Sequence, residues 1–521
     1  MAYDTIVIGA GHNGLISALR LADKGKKVLV LEKADRAGGA AKSGELTELG
    51  FIHDFYAMNI GLFLGSEFYQ RYGEEMQQYG FEPVVNDYPY ASVFPDGTGI
   101  GSHTDSEQMR NNIAAHSLSD VDGWNEMNDY FDKTSPEFMP LMKMELPSRQ
   151  ALKQVYKAWR NLSYDGLIEL GSQVLKTPRE FLDYYFENDK VKAMFIPWGF
   201  HLDFAPDVSN GAVFPFLESI LNQRNGMVIS KGGIQVMIDS IVKMIEARGG
   251  EVRLNTQVEE VQVKKGKARG VILEDGTRIK AKHSVIGNVT PVQLVNKLIP
   301  RKELPEKYLK KADNYTHGPG TMMIHLSLDE PLDWRAGDVY KNYTYVHIGP
   351  YTEDLARTYT QAMNGELPDS PLLVVGQPET ADTNRTPEGK YTLWIQVRAL
   401  PSTVKKDSLG EILPAHWDHL KEAYADRVID KLAGYAPNAK EAIRERVVFS
   451  PIDLERDNTN LQGGDSVSGS HHLFQFYLFR PIAGYSRYQT PIKNLYQVGA
   501  ATWPGGGLNA TSGMLLGNKL K

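Results

Sequence analysis

The chain of 521 residues contains no cysteine. That absence removes disulfides, thiolate metal sites, iron–sulfur clusters, cysteine nucleophiles and any group tethered through a cysteine sulfur. An apolar run of about 18 residues, the length that crosses a bilayer, is also missing. So is a basic leader with a cleavage site ahead of Tyr3–Gly9, which predicts a cytoplasmic protein. Positive charge is not in excess either: 57 basic against 64 acidic residues give a formal charge of -7. Such a balance offers no general attraction to phosphate polymers and speaks against nucleic acid as a partner. Internal repeats and low-complexity segments are absent too. What remains, 42% hydrophobic and 23% charged, is the composition of a globular enzyme large enough for two domains or one interleaved pair.

What is present begins at once. Thr5-Ile6-Val7-Ile8 is a short β-branched run suited to a strand buried on both faces, and Gly9-Ala10-Gly11-His12-Asn13-Gly14 breaks it with the spacing G-x-G-x-x-G. Leu15, Ala18, Leu19 and Ala22 then recur at helical spacing through Lys24, Gly25 stops the helix, and Val28–Leu31 reads as a second strand. In a βαβ unit of this kind Gly9 makes the tight turn, Gly11 lets the backbone approach a pyrophosphate, and Gly14 lets the helix pack on the strand. The helix N-terminus supplies unpaired N–H groups for the anion. His12 and Asn13 lie inside the loop, where His12 shapes the turn rather than performing chemistry.

Glu32, with Lys33 beside it, closes the second strand, where a carboxylate accepts hydrogen bonds from a ribose 2′,3′-diol and disfavours a 2′-phosphate. The ligand is then FAD or NAD rather than NADP; the alternative is a glycine-rich turn with an exposed Glu. Arg36-Ala37-Gly38-Gly39-Ala40-Ala41 follows, and its double glycine lets backbone amides face a second stretch of cofactor. This pattern resembles the glycine pair after the first βαβ unit of the amine-oxidase and phytoene-desaturase flavoproteins, a resemblance that favours FAD.

Farther along, Phe94-Pro95-Asp96-Gly97 signals a hairpin, and helical periodicity runs from about Asp120 to Met144. Lys231-Gly232-Gly233 precedes a helix with Met237, Ile241, Met244 and Ile245, ended by Gly249-Gly250. Short strands are expected at Val252–Leu254, Val258–Val263, Gly270–Leu273 and Thr277–Ala281, with Asp275-Gly276 as a turn, and Ser284–Gly287 reads as a buried strand ending at Gly287, a further candidate for the cofactor site. In the resembling flavoproteins a residue matching Val258 meets the adenine through its backbone; a plain αβ surface unit is the alternative. Runs at Met322–Leu328, Thr344–Ile348, Leu372–Val375 and Thr392–Val397 suggest a second sheet, and a helix from about Pro414 to Leu432 puts Trp417, Leu420, Tyr424, Val428 and Leu432 on a core face.

Near the end, NLYQVGAATWPGGGLNATSG (residues 494–513) again runs from strand through glycines into a helix, offering Gly499, Ala500, Gly507, Leu508 and Asn509 to the site that begins at Gly9. "GAGHNGL", "GGAA", "YQTPIKNLYQVGA" and "PGGG" together resemble the phytoene-desaturase-related FAD oxidoreductases, especially the branch of beta-carotene ketolases and pyridine-nucleotide-disulfide-oxidoreductase-like proteins. The resemblance covers nearly the whole chain. It implies FAD, a Rossmann-like α/β domain assembled from several segments (1–75, 226–300 and 455–521) and an α+β substrate domain (76–225 and 301–454). It further implies that the last helix points its positive end at the flavin pyrimidine. Two departures stand out: Trp503 replaces a His common in the family, which puts Trp503 close to the ring system, and Gly517-Asn518-Lys519 replaces a G-R-N.

The resemblance carries an activity as well, hydride transfer from an apolar, carotenoid or isoprenoid-like substrate to flavin N5, with quinone or oxygen as the open question of electron acceptor. No triad, carboxylate pair or metal cluster emerges from the residues. His471-His472, if in a strand, face opposite sides. The aromatic stretches Phe195–Asp203 and Leu473–Arg480 are candidates for an apolar channel or for core, and within them His201, Asp203, His472 and Arg480 are the polar side chains able to orient substrate or move a proton. Leu152, Val155, Tyr156 and Trp159 share a helical face flanked by Arg149, Lys153, Lys157 and Arg160, which fits either a helix lying on a membrane surface or one packed on its own domain. Flavin amine oxidation with a Trp503–Tyr477 cage, redox-neutral polyene isomerisation and a non-catalytic flavin scaffold are the competing functions.

Overall fold

The computed structural model describes residues 2–521. Two seven-stranded sheets organise them. The first is built on Ala2–Ile8, which pairs in parallel with Val28–Leu31 on one side and Arg278–Gly287 on the other. Glu251–Arg253 extends it beyond Val28–Leu31, and Leu495–Gln497 joins beside Arg278–Gly287, both in parallel. An antiparallel flap, Val258–Lys264 with Lys267–Leu273, is continuous with it. Its strands therefore come from three distant stretches of chain. Parallel strands need crossovers, and helices His12–Ala22 and Gln235–Ala247 supply them with faces of Leu15, Leu19, Met237, Ile241 and Met244 buried against the sheet. The α/β Rossmann-like architecture and its α+β companion follow.

Two sequence expectations are corrected here. Thr277–Ala281 and Ser284–Gly287 are not separate strands: Arg278–Gly287 is one strand, antiparallel to the flap at its start and parallel to Ala2–Ile8 along its length. A register irregularity opposite Tyr3–Thr5 absorbs the residues that made it look interrupted. The first helix ends at Ala22 rather than Lys24, with Asp23 as its C-cap.

The second sheet runs Ile443–Phe449, Gly320–Leu328, Tyr391–Leu400, Leu372–Gly376, Tyr345–Ile348, Tyr90–Val93 and Gly99–Gly101 in spatial order. Only Tyr345–Ile348 with Tyr90–Val93 is a parallel pair. Four of these strands were legible as apolar runs; the other three extend the sheet at its two ends. Helix Trp417–Tyr435 covers one face through the buried stripe Trp417, Leu420, Tyr424, Val428 and Leu432. The other face meets the helical layer of Ser119–Met142, Pro178–Tyr185, Asp189–Phe195 and Val213–Asn225. Arg385 locks the two halves together. Fully buried, it bonds Asp54 at 2.5 Å, Asp382 at 3.0 Å and the Ser230 carbonyl, while the same two aspartates accept the Ile234 and Gly232 N–H groups just before helix Gln235–Ala247. Among the described residues, no helix is long and apolar enough to cross a membrane.

Candidate active site

A cavity of about 540 Å³ runs from the first glycine turn, between the sheets, to a chamber on the second one. At its outer end Gly9, Gly11, His12 and Asn13 form one wall. Gly11 caps helix His12–Ala22 without a side-chain hydrogen bond, which leaves the first-turn N–H groups free for an anion. Gly14 does not line the cavity; a Cβ there would stand 2.5 Å from the Gly9 carbonyl, so its lack of a side chain is what lets helix and turn close. Glu32 accepts the Ala10 and Ala34 N–H groups at 2.7 and 2.9 Å, one on each oxygen. Those bonds aim the carboxylate into the cavity and leave each oxygen a further lone pair for a ribose diol.

Lys33, Arg36, Gly38, Gly39, Ala40 and Val258 all line this end, with Thr256 and Gln257 next to Val258. Gly38, at φ +127°, donates its N–H to the Ala10 carbonyl and seats the double glycine against the first turn. From the closing motif Gly499, Ala500, Gly507 and Leu508 line the cavity. Asn509 does not. Its side chain points back at the Gly505–Gly507 carbonyls and caps Thr511, while its carbonyl lies 3.0 Å from His12 Nε2. Burial holds the His12 ring down to about pKa 4, so it stays neutral and acts as a bridge between the first and last glycine motifs. Gly513 completes the junction by donating to Asn13 Oδ1 at 2.9 Å and accepting from Ser17 at 3.0 Å.

Gly287 is also off the cavity wall, and its neighbour Asn288 takes the place expected for it. Asn288 donates to the Gly9 and Gly11 carbonyls and lines the site. Sequence reading missed it because a lone Asn after a strand carries no pattern. It missed residues 457–461 for the same reason: Asp457 pairs with Lys42 at 2.6 Å and accepts from Tyr56 at 2.6 Å, tying a loop of the far half to the double-glycine segment.

Of the five catalytic candidates only His201 lines the cavity. Asp203 is buried, with φ +137°; it accepts from Ser470 Oγ at 2.8 Å and the His471 N–H at 3.0 Å, and its carbonyl lies 3.1 Å from His472 Nε2. Burial raises its carboxyl to about 6. His471 and His472 are not in a strand, so the expected opposite facing does not occur: both turn toward Asp203, and His471 Nε2 also accepts the Gly506 N–H at 2.8 Å. Arg480 spends its guanidinium on the Gly469, Ser470 and Ala500 carbonyls. His471 and Arg480 thus hold the closing motif at Gly506 and Ala500, with Asp203 fixing His471 from behind and His472 bonded beside it. Trp503 is corrected too: it lies outside the cavity, packed on Phe476 and Tyr477 with its N–H on the Met144 carbonyl. Leu473–Arg480 supplies no channel, because Phe474, Leu478 and Phe479 are exposed.

The inner chamber is made by Leu62, Trp198, His201, Phe214, Glu218, Tyr345, Trp394, Gln396 and Arg398. Trp394, Gln396 and Arg398 alternate along Tyr391–Leu400, so the strand's period of two presents all three to one side. Tyr345 and Trp394 meet edge to face with ring centroids 5.5 Å apart, and Trp198 lies 4.6 Å from the His201 ring. Burial pushes the Glu218 carboxyl up to about 7 and the His201 ring well below its ordinary value, so His201 is neutral.

A family model described as flavin containing amine oxidoreductase matches residues 14–449. The chain belongs to this flavin-containing oxidoreductase family. It is similar to pyridine nucleotide-disulfide oxidoreductase domain-containing protein 2 of Rattus norvegicus, 25% identical with 98% of this chain and 92% of that one covered. It is also similar to the neurosporene-forming phytoene desaturase of Rhodobacter capsulatus, 26% identical with 98% and 91% covered. The fold is that of an oxidoreductase from Methanosarcina mazei, with a TM-score of 0.61, 19% identity and 99% of both chains covered. Within the family the chain is a phytoene-desaturase-related oxidoreductase, and FAD is its cofactor. The residues fit that group: an uncapped helix start, a carboxylate with lone pairs to spare and a double-glycine wall all line one cavity.

Proposed function

We propose that the protein oxidises an apolar, isoprenoid-like substrate held in the inner chamber, with FAD as the immediate two-electron acceptor. The observation that carries this is the continuity of one cavity from the dinucleotide cradle into a chamber walled by Leu62, Trp198, Phe214, Tyr345 and Trp394. Flat aromatic walls suit a conjugated chain and exclude water from the reacting carbon. In the reaction an allylic C–H bond breaks with its electron pair leaving as hydride, and the neighbouring carbon loses a proton as the double bond forms. FAD, held by the Gly9–Asn13 turn, Glu32 and the Gly38-Gly39 pair, would supply the hydride acceptor, with a quinone or oxygen as the class of final oxidant. His201 and Glu218 are the chamber side chains able to receive the proton, and burial beside Arg398 works against the charged form of His201.

The test is anaerobic: FAD-loaded protein mixed with a carotenoid or isoprenoid, followed by its visible spectrum. Bleaching of the flavin band with a desaturated product supports the reading. Bleaching by amines, with peroxide formed in air, would replace it by amine oxidation; isomerised product without bleaching would replace it by isomerisation; no response to any of them would leave a scaffold.

An apolar substrate resides in a membrane, and we extend the proposal to peripheral contact through helix Arg149–Leu175. Leu152 is 70% and Trp159 45% exposed, Val155 and Tyr156 lie between them, and Arg149, Lys153, Lys157 and Arg160 flank the face, which supports insertion at an anionic surface. Flotation with anionic vesicles should carry the protein up; full recovery in the lipid-free fraction overturns this extension.

A further inference from the structure

Three fully or nearly fully buried arginines can be compared. Arg385 faces two carboxylates, and Arg480 uses Nε, Nη1 and Nη2 on backbone carbonyls. Arg398 is different. It is 7% exposed and lines the chamber, yet its bonds are one to Ser466 Oγ at 2.7 Å and a long one to the His201 carbonyl at 3.4 Å. Its Nε has no partner, and among the described residues no carboxylate lies within 4 Å of it. Asp465, whose charge reaches it through space, is occupied by the Gly318, Val467 and Gly469 N–H groups. Burial lowers Arg398 only to about 10, so it is a cation at neutral pH. A guanidinium with N–H groups to spare, buried at the wall of a cavity, is complementary to a planar anion that takes two parallel hydrogen bonds.

The rest of the chamber points the same way. Trp198 Nε1, Trp394 Nε1 and Glu218 Oε1 are buried without hydrogen-bond partners and belong to residues on the same wall. A bare hydrocarbon would leave the Arg398 guanidinium without a counter-charge. A protonated amine would add a second cation beside Arg398, whose guanidinium already has no carboxylate partner.

We propose that Arg398 anchors a carboxylate on the substrate, so that the chamber takes an isoprenoid or other polyunsaturated acid rather than a hydrocarbon or an amine. This rests on the chamber being the substrate site of the flavin oxidoreductase described above. The aromatic walls hold the chain, the guanidinium holds its oxygenated end, and the distance between them sets which carbon lies beside the cofactor.

The experiment is a titration of FAD-loaded protein with all-trans-retinoic acid and with all-trans-retinol, two probes that share the polyene and differ at its end. Quenching of tryptophan fluorescence by the polyene reports binding at Trp198 and Trp394 whether or not the flavin reacts, and FAD content is measured separately. The acid should bind at least about tenfold tighter than the alcohol, Arg398→Gln should erase that difference with FAD content unchanged, and Arg398→Lys should restore part of it. Equal or tighter binding of retinol overturns the proposal, and so does loss of FAD from Arg398→Gln, which would assign the guanidinium to the cofactor. If Arg398→Gln fails to fold, the acid–alcohol ratio of the wild type decides alone. Selective acid binding by a protein that then fails to bleach would remove the oxidation reading and leave the anchor standing.

Discussion

The two ends of the cavity recognise by different means. At the outer end the work is done by backbone: free N–H groups before a helix, glycines that let main chain approach main chain, and one carboxylate whose direction is set by two amides. At the inner end it is done by side chains sent from separate elements, Trp198 and His201 from a 3₁₀ turn, Glu218 from a helix, Tyr345 and Arg398 from two strands. A backbone site tolerates little change and keeps one ligand. A side-chain site keeps its scaffold while individual residues vary, so one fold serves many substrates.

The sharpest break in this comparison is Arg385→Met. Arg385 belongs to neither end and holds both, and its loss leaves Asp54 and Asp382 buried without a cation. Unfolding should become easier by about 3–5 kcal/mol, with FAD retention and probe binding lost together in denaturant titrations. Glu218→Gln should act on the inner end alone and only with pH. The Glu218 carboxyl is raised to about 7 in the folded protein, so the native state holds its proton more tightly than the unfolded chain does. Its stability contribution is therefore complete below about pH 4.5 and is lost as pH rises through 7, a difference of about 3 kcal/mol at most. The Gln variant should match wild type at pH 4.5 and exceed it at pH 8 by up to that amount; a constant offset would mean the carboxyl does not titrate in this window. Gly14→Ala should act on the outer end alone, weakening FAD retention by roughly 1–3 kcal/mol while retinoid quenching persists, since the added Cβ meets the Gly9 carbonyl and not the chamber.

The same contrast explains how much could be read in advance. Backbone recognition writes contiguous strings, so G-x-G-x-x-G, the acid after the second strand, the double glycine and the closing glycines were all legible, and most of those residues line the cavity. The exceptions are instructive: Gly14 works by absence, Asn509 turns back on its own loop, and Gly287 falls one residue short of Asn288, whose side chain lines the site. The inner chamber leaves only faint marks. In YTLWIQVRAL the polar Gln396 and Arg398 fall in phase with Trp394 inside a buried strand, and in VFPFLESILNQ Glu218 interrupts an apolar helix face; each is a charge or amide where the fold asks for a hydrocarbon. Reading from local spacing alone favoured His472, Asp203 and Arg480 instead. Polar residues within aromatic runs look alike in sequence whether they face a cavity or stitch a loop, and only their hydrogen-bond partners tell them apart.

The meeting of helix His12–Ala22 with the segment around Gly513 has a consequence for how the protein is made. A ribosome makes Gly9–Gly14 long before Gly499–Gly513, and both sides of the cradle are bridged by His12 to Asn509 and by Asn13 to Gly513. The nascent chain therefore carries an unfinished cradle throughout the interval between them, with the strand Leu495–Gln497 still missing from the first sheet. Cofactor loading therefore waits for the closing motif, however early the first glycine turn has been made.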